Sequence, residues 1–248
     1  EGDLNSVNPA DVESVSVLKD ASSAAIYGAR GAFGVILVTT KNATAGKTKI
    51  NYNGSFSMHQ RTVKTEDGIV SNGLQWTDGW YTAYLEGQEA PPGGINNVFK
   101  YSTDWYNELV RRDADPSLDK VRVNDKGEYE YFGNTNWLDI IYKDQNYSTE
   151  HNVSISGGNE RARYYVSGRY YNQDGIYNAG DEKYTQYNIR SKGEIQINKS
   201  LLLENNTDVM IFRSHQPMVM YDRQNITRQA QHQGYPVTME KNPDGTWT

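Results

Sequence analysis

From Lys49 to His59 the chain alternates without a break. Ile50, Tyr52, Gly54, Phe56 and Met58 fall on one face, and Lys49, Asn51, Asn53, Ser55, Ser57 and His59 on the other. A period of two with apolar against polar residues predicts a strand with one face in apolar surroundings. The pattern returns in Tyr147–Ser156, Arg161–Tyr171, Tyr187–Ile197 and Leu201–Arg213, where Asn205 and Thr207 interrupt the apolar side of the last. A soluble β-sandwich also alternates. Two features favour a transmembrane barrel instead: the segments are about ten residues long, as a tilted membrane crossing requires, and tight connections (Gly157–Glu160, Asn198–Ser200) alternate with long ones. Tyr52, Tyr164, Tyr170 and Tyr187 lie near strand ends, where an interfacial aromatic girdle would sit.

Asn8 to Lys41 has another texture. Asn8-Pro9 reads as an N-cap followed by proline at the first helical position. The helical turn is expected to be short, because Val15, Val17 and Leu18 suit a strand. Ala21–Tyr27 is helix-prone, and Gly28 falls where a left-handed cap would close it. Beyond Gly31 and Gly34, the β-branched run Val35–Thr40 reads as a buried strand. The unit is thus helix, strand, helix, strand, an α/β element with little core of its own. Residues 60–145 make too long a connection for an ordinary loop and are expected to carry function. Short helices are predicted at Asn72–Leu85 and Ser102–Arg112, a break at Pro91–Gly94, a turn at Asn124–Gly127 and another helix at Asp222–Gln233.

Composition narrows the class. Hydrophobic residues make up 36% of the chain, yet it holds 19 tyrosines and 5 tryptophans, which argues against disorder. The net charge of −6 comes from dispersed acids and bases, so no nucleic-acid surface is expected. Cysteine is absent, which excludes disulfides and thiolate metal sites. No apolar run is long enough for a transmembrane helix, a fact that leaves barrel strands open. The chain starts at Glu1 in polar sequence without the pattern of a secretory leader.

Catalytic chemistry finds no footing. His59, His151, His215 and His232 are scattered without an HExxH pattern, and the pairs Asp113/Asp115 and Glu128/Glu130 read as solvated loop acids. Asp113, Asp115 and Asp119 lack the spacing of an EF-hand loop. Gly46-Lys47-Thr48 resembles the end of a phosphate-binding loop, but position 41, where that loop needs glycine, is lysine. Neither an enzyme nor a cofactor is expected.

Binding residues are easier to nominate. Trp76, Trp80, Tyr81, Tyr84, Trp105, Tyr106 and Trp137 lie among Asn, Asp and Gln in the long connection. They either pack that segment against itself or offer ring faces to sugars. On the polar faces of the strands, counting back from the tight turn at Lys199 sets Arg190 opposite Asp208 and Glu194 opposite Glu204. The acidic pair needs a cation, for which Arg163 is nominated. Arg161 and Arg169 are expected to pair with Glu13 or Asp20.

The run NPADVESVSVLKDASSAAIYGARGAFGVILVTTK resembles the C-terminal half of the plug domain of TonB-dependent outer-membrane transporters, in the wording of the SusC/RagA branch. NTNWLDIIYKDQNYSTEHNVSISGGNERARYYVSGRYYNQDGIY (Asn134–Tyr177) is similar to the first barrel hairpin of the same branch. Together they cover about a third of the chain. The resemblance implies an α/β plug element, residues 1–46, followed by antiparallel transmembrane strands, residues 47–248, with long outer loops at about 60–145 and 214–248. These would be the second half of a plug and the first five strands of a barrel of about 22. It further implies an outer-membrane location and TonB-driven import of a nutrient, an oligosaccharide or alternatively a peptide. The implied partners are a SusD-like surface lipoprotein, the TonB complex and outer-membrane lipid, with a dimer of transporter–lid pairs as one arrangement. Gly28, Arg30, Gly31 and Gly34 would be structural residues of the plug. A soluble β-rich glycan-binding or adhesion module explains the alternation and the aromatics, but not Asn8–Lys41.

Overall fold

A computed structural model describes residues 6–20, 25–31, 34–63, 68–95, 99, 101–217 and 234–248. The helix expected at Asp222–Gln233 lies outside them. The chain divides into two compact units, one of residues 1–59, 146–175 and 182–216, the other of 60–145, 176–181 and 217–248.

In the first unit Asn8 caps a 3₁₀ turn, Pro9–Asp11, its side chain accepting from the Ala10 N–H at 3.1 Å. Strand β1 (Val12–Leu18) follows, then a 3₁₀ segment, Ala25–Gly31, and strand β2 (Val35–Thr40), antiparallel to β1. Two expectations need correction. Gly28 is not a left-handed cap: at φ 64° and ψ −154° it kinks the middle of the 3₁₀ segment, in a region that only glycine occupies without strain. Strand β2 is present but not buried, with Ile36 58% exposed, because β1 and β2 form an isolated pair that leaves much of each face uncovered. Gly34, at φ 96°, lets the chain pass the Leu18 carbonyl, which a Cβ would meet at 3.2 Å. Gly31 is buried.

Five long strands form one antiparallel sheet: β3 (Gly46–Gln60), β6 (Gln145–Gly158), β7 (Ala162–Asp174), β8 (Lys183–Asn198) and β9 (Leu201–His215), in that order. On the central strands β6–β8 the alternation read from the sequence sorts onto the faces with an inverted burial, while β3 and all of β9 but Met210 are exposed on both faces. Tyr165, Ser167, Gln186, Asn188 and Arg190 are buried, whereas Val153, Ile155, Val166, Ile189, Val209 and Ile211, on the opposite face, are exposed. A water-soluble sheet hides its apolar face; this one presents it.

At one level of that apolar face Tyr52, His151, Tyr170 and Tyr187 form a continuous row of rings with centroids 5.3–6.2 Å apart. Tyr52 Oη and His151 Nδ1 share a hydrogen bond of 2.8 Å. Tyr164 stands apart, bonded to Thr48 Oγ1 at 2.7 Å.

The second unit holds helices α1 (Gly73–Leu85), α2 (Thr103–Ala114) and α3 (Trp137–Ile141) and a hairpin of β4 (Val121–Val123) and β5 (Tyr129–Tyr131). Asn72 and Ser102 cap α1 and α2, accepting from Gln75 N at 2.7 Å and Trp105 N at 3.0 Å. The expected turn closes the hairpin, with Asn124 Oδ1 accepting from Lys126 N and Glu128 N. Within the stretch read as a barrel hairpin, β6 and β7 form the hairpin itself and Trp137–Ile141, ahead of it, is helix α3.

Ile95, Trp105, Leu109, Phe132 and Val237 form the core of this unit. Val237 comes from the far end of the chain. Its carbonyl accepts from Gly133 N at 2.7 Å, and that of Pro236 from Thr135 N at 2.9 Å. The two segments expected to be separate loops therefore fold together. Arg61 fastens both ends of residues 60–145, its Nη2 reaching Asp139 and Asp144 at 2.7 Å each while its N–H donates to the Asp144 carbonyl.

Candidate functional site

The first cluster of interest joins the N-terminal element to the polar face of the sheet. Asp11, at the end of the first 3₁₀ turn, is 2% exposed. Tyr165 Oη donates to its Oδ1 at 2.8 Å and Ser167 Oγ to its Oδ2 at 2.7 Å. Arg190 Nε lies 3.9 Å from Oδ2, while Arg190 Nη2 donates to Asp208. The guanidinium thus stands between two carboxylates, with Nε and Nη1 lacking a hydrogen-bond partner among the described residues.

The same face carries two further attachments. Lys192 Nζ donates to Thr40 Oγ1 at 2.7 Å and Asn42 Oδ1 at 2.8 Å, and Asn188 Nδ2 to the Ser6 carbonyl at 2.9 Å. Strands β7 and β8 present the donors because their inward positions repeat every second residue. Beside Asp11 is a cavity of about 220 Å³ lined by Asn8, Lys41, Asn51, Asn53, Asn152 and Ser154, among others.

The register sets Arg190 opposite Asp208 and Glu194 opposite Glu204, the pairings counted from the Lys199 turn. Arg163 faces Glu194, with Nη1 3.7 Å from Oε2. The expected pairing of Arg169 with Glu13 or Asp20 is wrong. Arg169 makes a two-pronged contact with Glu150, at 3.0 Å on each oxygen, since Glu150 lies on the adjoining strand within direct reach. Arg161 is exposed and makes no ion pair among the described residues. Asp11 is the acid that sequence reasoning missed.

The nominated aromatics all fall in the second unit, in unequal surroundings. Trp105 is 4% exposed, stacked with Tyr101 at 3.9 Å and with Phe132 at 5.7 Å, and its Nε1 donates to the Tyr131 carbonyl. Trp137 Nε1 donates to the Tyr235 carbonyl and Thr238 Oγ1. Tyr106 stacks edge-on against Tyr81 and donates to Asp78 at 2.7 Å; that bond, aided by burial, pushes its hydroxyl up to about 12. Tyr101 is also raised to about 12, chiefly by burial. Trp76 packs on Trp80, Phe99 and Tyr235, whereas Trp80 itself is 47% exposed. Tyr84 lies in the last turn of α1. So Trp105 is buried, Trp137 is half-buried with its N–H bonded, and Trp80, packed edge-on against Trp76 and Phe99, is the more exposed ring.

A second cavity, of about 250 Å³, lies among Tyr101, Ser102, Trp105, Tyr129, Glu130, Tyr131, Val237 and Thr238. Glu130 Oε2 accepts from Arg122 Nε at 2.5 Å, and Arg122 Nη2 donates to Asp104 at 2.7 Å. Among the described residues no group of three or more His, Asp or Glu is placed to hold a metal ion. Asp113 instead accepts from Asn72 Nδ2, and Asp115 from Ser117, which lowers its pKa.

No protein-family model matches the chain. TonB-dependent receptor P3 of Formosa agariphila is 31% identical over 192 residues, covering 77% of the chain and 14% of that receptor. TonB-dependent receptor SusC of Bacteroides thetaiotaomicron is 34% identical over 174 residues, 70% of the chain and 13% of the receptor. The chain therefore spans about a seventh of the length of these relatives. Among solved structures, the RagAB peptide importer in its open-open state superposes with a TM-score of 0.61 at 25% identity, over 98% of this chain and 26% of that one. Its closed-closed state gives a TM-score of 0.62 at 23% identity, a likeness of fold. With an N-terminal element of 3₁₀ segments and a β1–β2 pair tied by Asp11 to a sheet whose apolar side is exposed, and with these relatives, the chain belongs to the SusC/RagA type of TonB-dependent receptors.

Proposed function

We propose that the chain forms part of an outer-membrane transporter that imports a nutrient, foremost an oligosaccharide, under energy delivered by TonB. In this reading residues 1–46 belong to the plug and β3 and β6–β9 to the wall of a closed barrel. A SusD-like lipoprotein covers the outer mouth. The single observation that carries it is the inverted burial of the sheet's central strands: exposed apolar Val153, Val166 and Ile189, against buried polar Ser167, Asn188 and Arg190. A sheet of that kind is stable with lipid on one side and a polar filling on the other. Asp11 and Lys192 would tie the plug to the wall. No covalent step is required, because differential binding between states of the plug, driven from the inner membrane, moves the cargo.

Import of peptides is the second reading, and the likeness to the RagAB peptide importer favours it. Calorimetry of the intact receptor, reconstituted with its lid partner, against panels of oligosaccharides and peptides decides between them. Saturable binding to one glycan class supports sugar import. Binding to peptides alone transfers the reading to peptides, and binding to neither by folded receptor removes the cargo assignment.

A further inference from the structure

We propose that a hollow over Gly168, on the apolar face of the sheet, holds one acyl chain of a bilayer lipid. This rests on the reading of that face as the lipid-facing wall of a barrel.

The strand register places the hollow. Across β6, β7 and β8, Val153, Gly168 and Ile189 share one row, and His151, Tyr170 and Tyr187 the next. Val153 and Ile189 are both exposed and stand about 10 Å apart, two strand spacings, on either side of a position without a side chain. The cavity so formed measures about 280 Å³ and is bordered by Val153, Tyr52 and Ile189 and by the rings of Tyr170 and Tyr187. Asn152, Arg169 and Asn188 border it through their backbone, since alternation turns their side chains to the polar face. There Arg169 binds Glu150, and Asn188 the Ser6 carbonyl.

The backbone does not require glycine at this position. Gly168 lies in unbroken register with both neighbouring strands and outside the left-handed region. A Cβ would meet Val153 Cγ1 at 3.6 Å and the Asn188 carbonyl at 4.0 Å, which are ordinary contacts. Glycine inside a strand weakens it, and often marks a bulge or the close approach of a ligand or another backbone. The register excludes the bulge, and no other backbone fills the space.

The face on either side of the ring row indicates the ligand. Beyond Tyr170 and Tyr187 it carries Asn172, Asp174, Thr185 and Lys183, with Asn172 Nδ2 donating to Thr185 Oγ1 and Lys183 Nζ 3.7 Å from Asp174. On the other side Val166, Ile189 and, on β9, Val209 are exposed. The rings therefore stand where polar surface gives way to apolar, as tyrosines do at a membrane boundary. An amphiphile lying along the strands sets its head among the polar rows, passes the rings and meets the hollow directly below them. A hydrocarbon chain suits the lining, in which Tyr52 Oη and His151 Nδ1 are already bonded to each other.

The test is photolabelling of the intact receptor in detergent micelles, titrated with phosphatidylcholine that carries a diazirine in the upper part of one acyl chain, with adducts located by peptide mass spectrometry. Val209 and Ile211, at the same level on β9, are the internal reference. The expected result is labelling around Gly168 and Ile189 that saturates at about tenfold less lipid than labelling of the reference, the gain from burying some two further methylenes. Gly168→Leu fills the hollow and folds, because a Cβ has room; it should abolish the early phase and leave the reference unchanged. Labelling that rises together at both places, or an early phase that survives Gly168→Leu, overturns the site. Cross-linking of these residues to a second receptor in place of lipid also overturns it, in favour of an interface between copies. No adduct anywhere on the face of folded receptor, Val209 and Ile211 included, contradicts the lipid-facing wall itself, so the two failures are distinct.

Discussion

At the scale of single residues, Asp11 concentrates the cost of joining two parts of the fold. A carboxylate removed from water must have its lone pairs filled, and Tyr165 and Ser167 fill them. Replacing it by alanine would orphan two hydroxyl donors and leave Arg190 with Asp208 alone. Asp11→Ala is thus expected to destabilise docking of the N-terminal element by roughly 3 kcal/mol. Denaturant unfolding, with protease cleavage of residues 41–47 as the local readout, would register it; an unchanged cleavage profile would remove Asp11 from this role.

The sequence hides this contact because the partners lie 154 and 156 positions away, and an acid in NPAD is already explained as a favourable residue in a first helical turn. The pairing of Arg190 with Asp208 was legible for the opposite reason. A tight turn fixes register over the whole hairpin, so counting suffices. Gly28 was legible as a special position but not as this one: a cap and a kink call for the same residue, and only the dihedral angles separate them. Gly28→Ala is expected to cost about 1–3 kcal/mol through backbone strain, measured as a lower midpoint of the same unfolding curve.

At the scale of elements, helix α2 is the hub of the second unit. Trp105→Ala is expected to cost roughly 3–5 kcal/mol and to unfold the unit before the sheet, followed by near-ultraviolet circular dichroism. The charge pattern of the helix adds a pH dependence. Glu108 is held at about 2, first by its bond to Arg111. A lowered carboxylate contributes stability that is whole above its unfolded value near 4.5 and is lost as pH falls towards 2.

Tyr101 and Tyr106 act at the other end of the scale. Each is raised to about 12, so the folded form keeps its proton while the unfolded chain gives it up near 10. Their contribution is whole below pH 10 and disappears as pH climbs towards 12. Tyrosinate absorbance should show a late-titrating fraction that Tyr106→Phe reduces; a single transition near 10 would contradict the buried geometry.

Helices α1 and α2 were readable from their caps and spacing. The joining of residues 234–248 to this unit was not. Val237 carries no local signal, and its burial depends on backbone bonds at Gly133 and Thr135 made across a hundred positions of chain. Nor did the aromatic text reveal which rings were free. Trp80 and Trp105 look alike in sequence and differ only once packing covers one and leaves the other open.

At the scale of the whole molecule, the decisive property is which side of the sheet meets lipid. The strand pattern fixed that each face is uniform; burial then identified the polar face as the covered one. Val209→Arg, on the apolar face, is expected to cost about 2–4 kcal/mol of folding into lipid vesicles, and Met210→Arg, one position further and on the other face, much less. Equal penalties would argue for a soluble sheet.

The most direct test labels β9 at introduced cysteines, since residues 1–248 contain none, with any cysteine elsewhere in the receptor replaced by serine. Single cysteines introduced in turn from Asn206 to Ile211 in the full receptor, spin-labelled and reconstituted in bilayers, report exposure to membrane-dissolved oxygen and to a water-soluble nickel complex. A lipid-facing apolar side gives a period of two, with Thr207, Val209 and Ile211 reached by oxygen and shielded from nickel, and Asn206, Asp208 and Met210 the reverse. Loss of the alternation, or nickel access at Val209 and Ile211 equal to that in water, would contradict it.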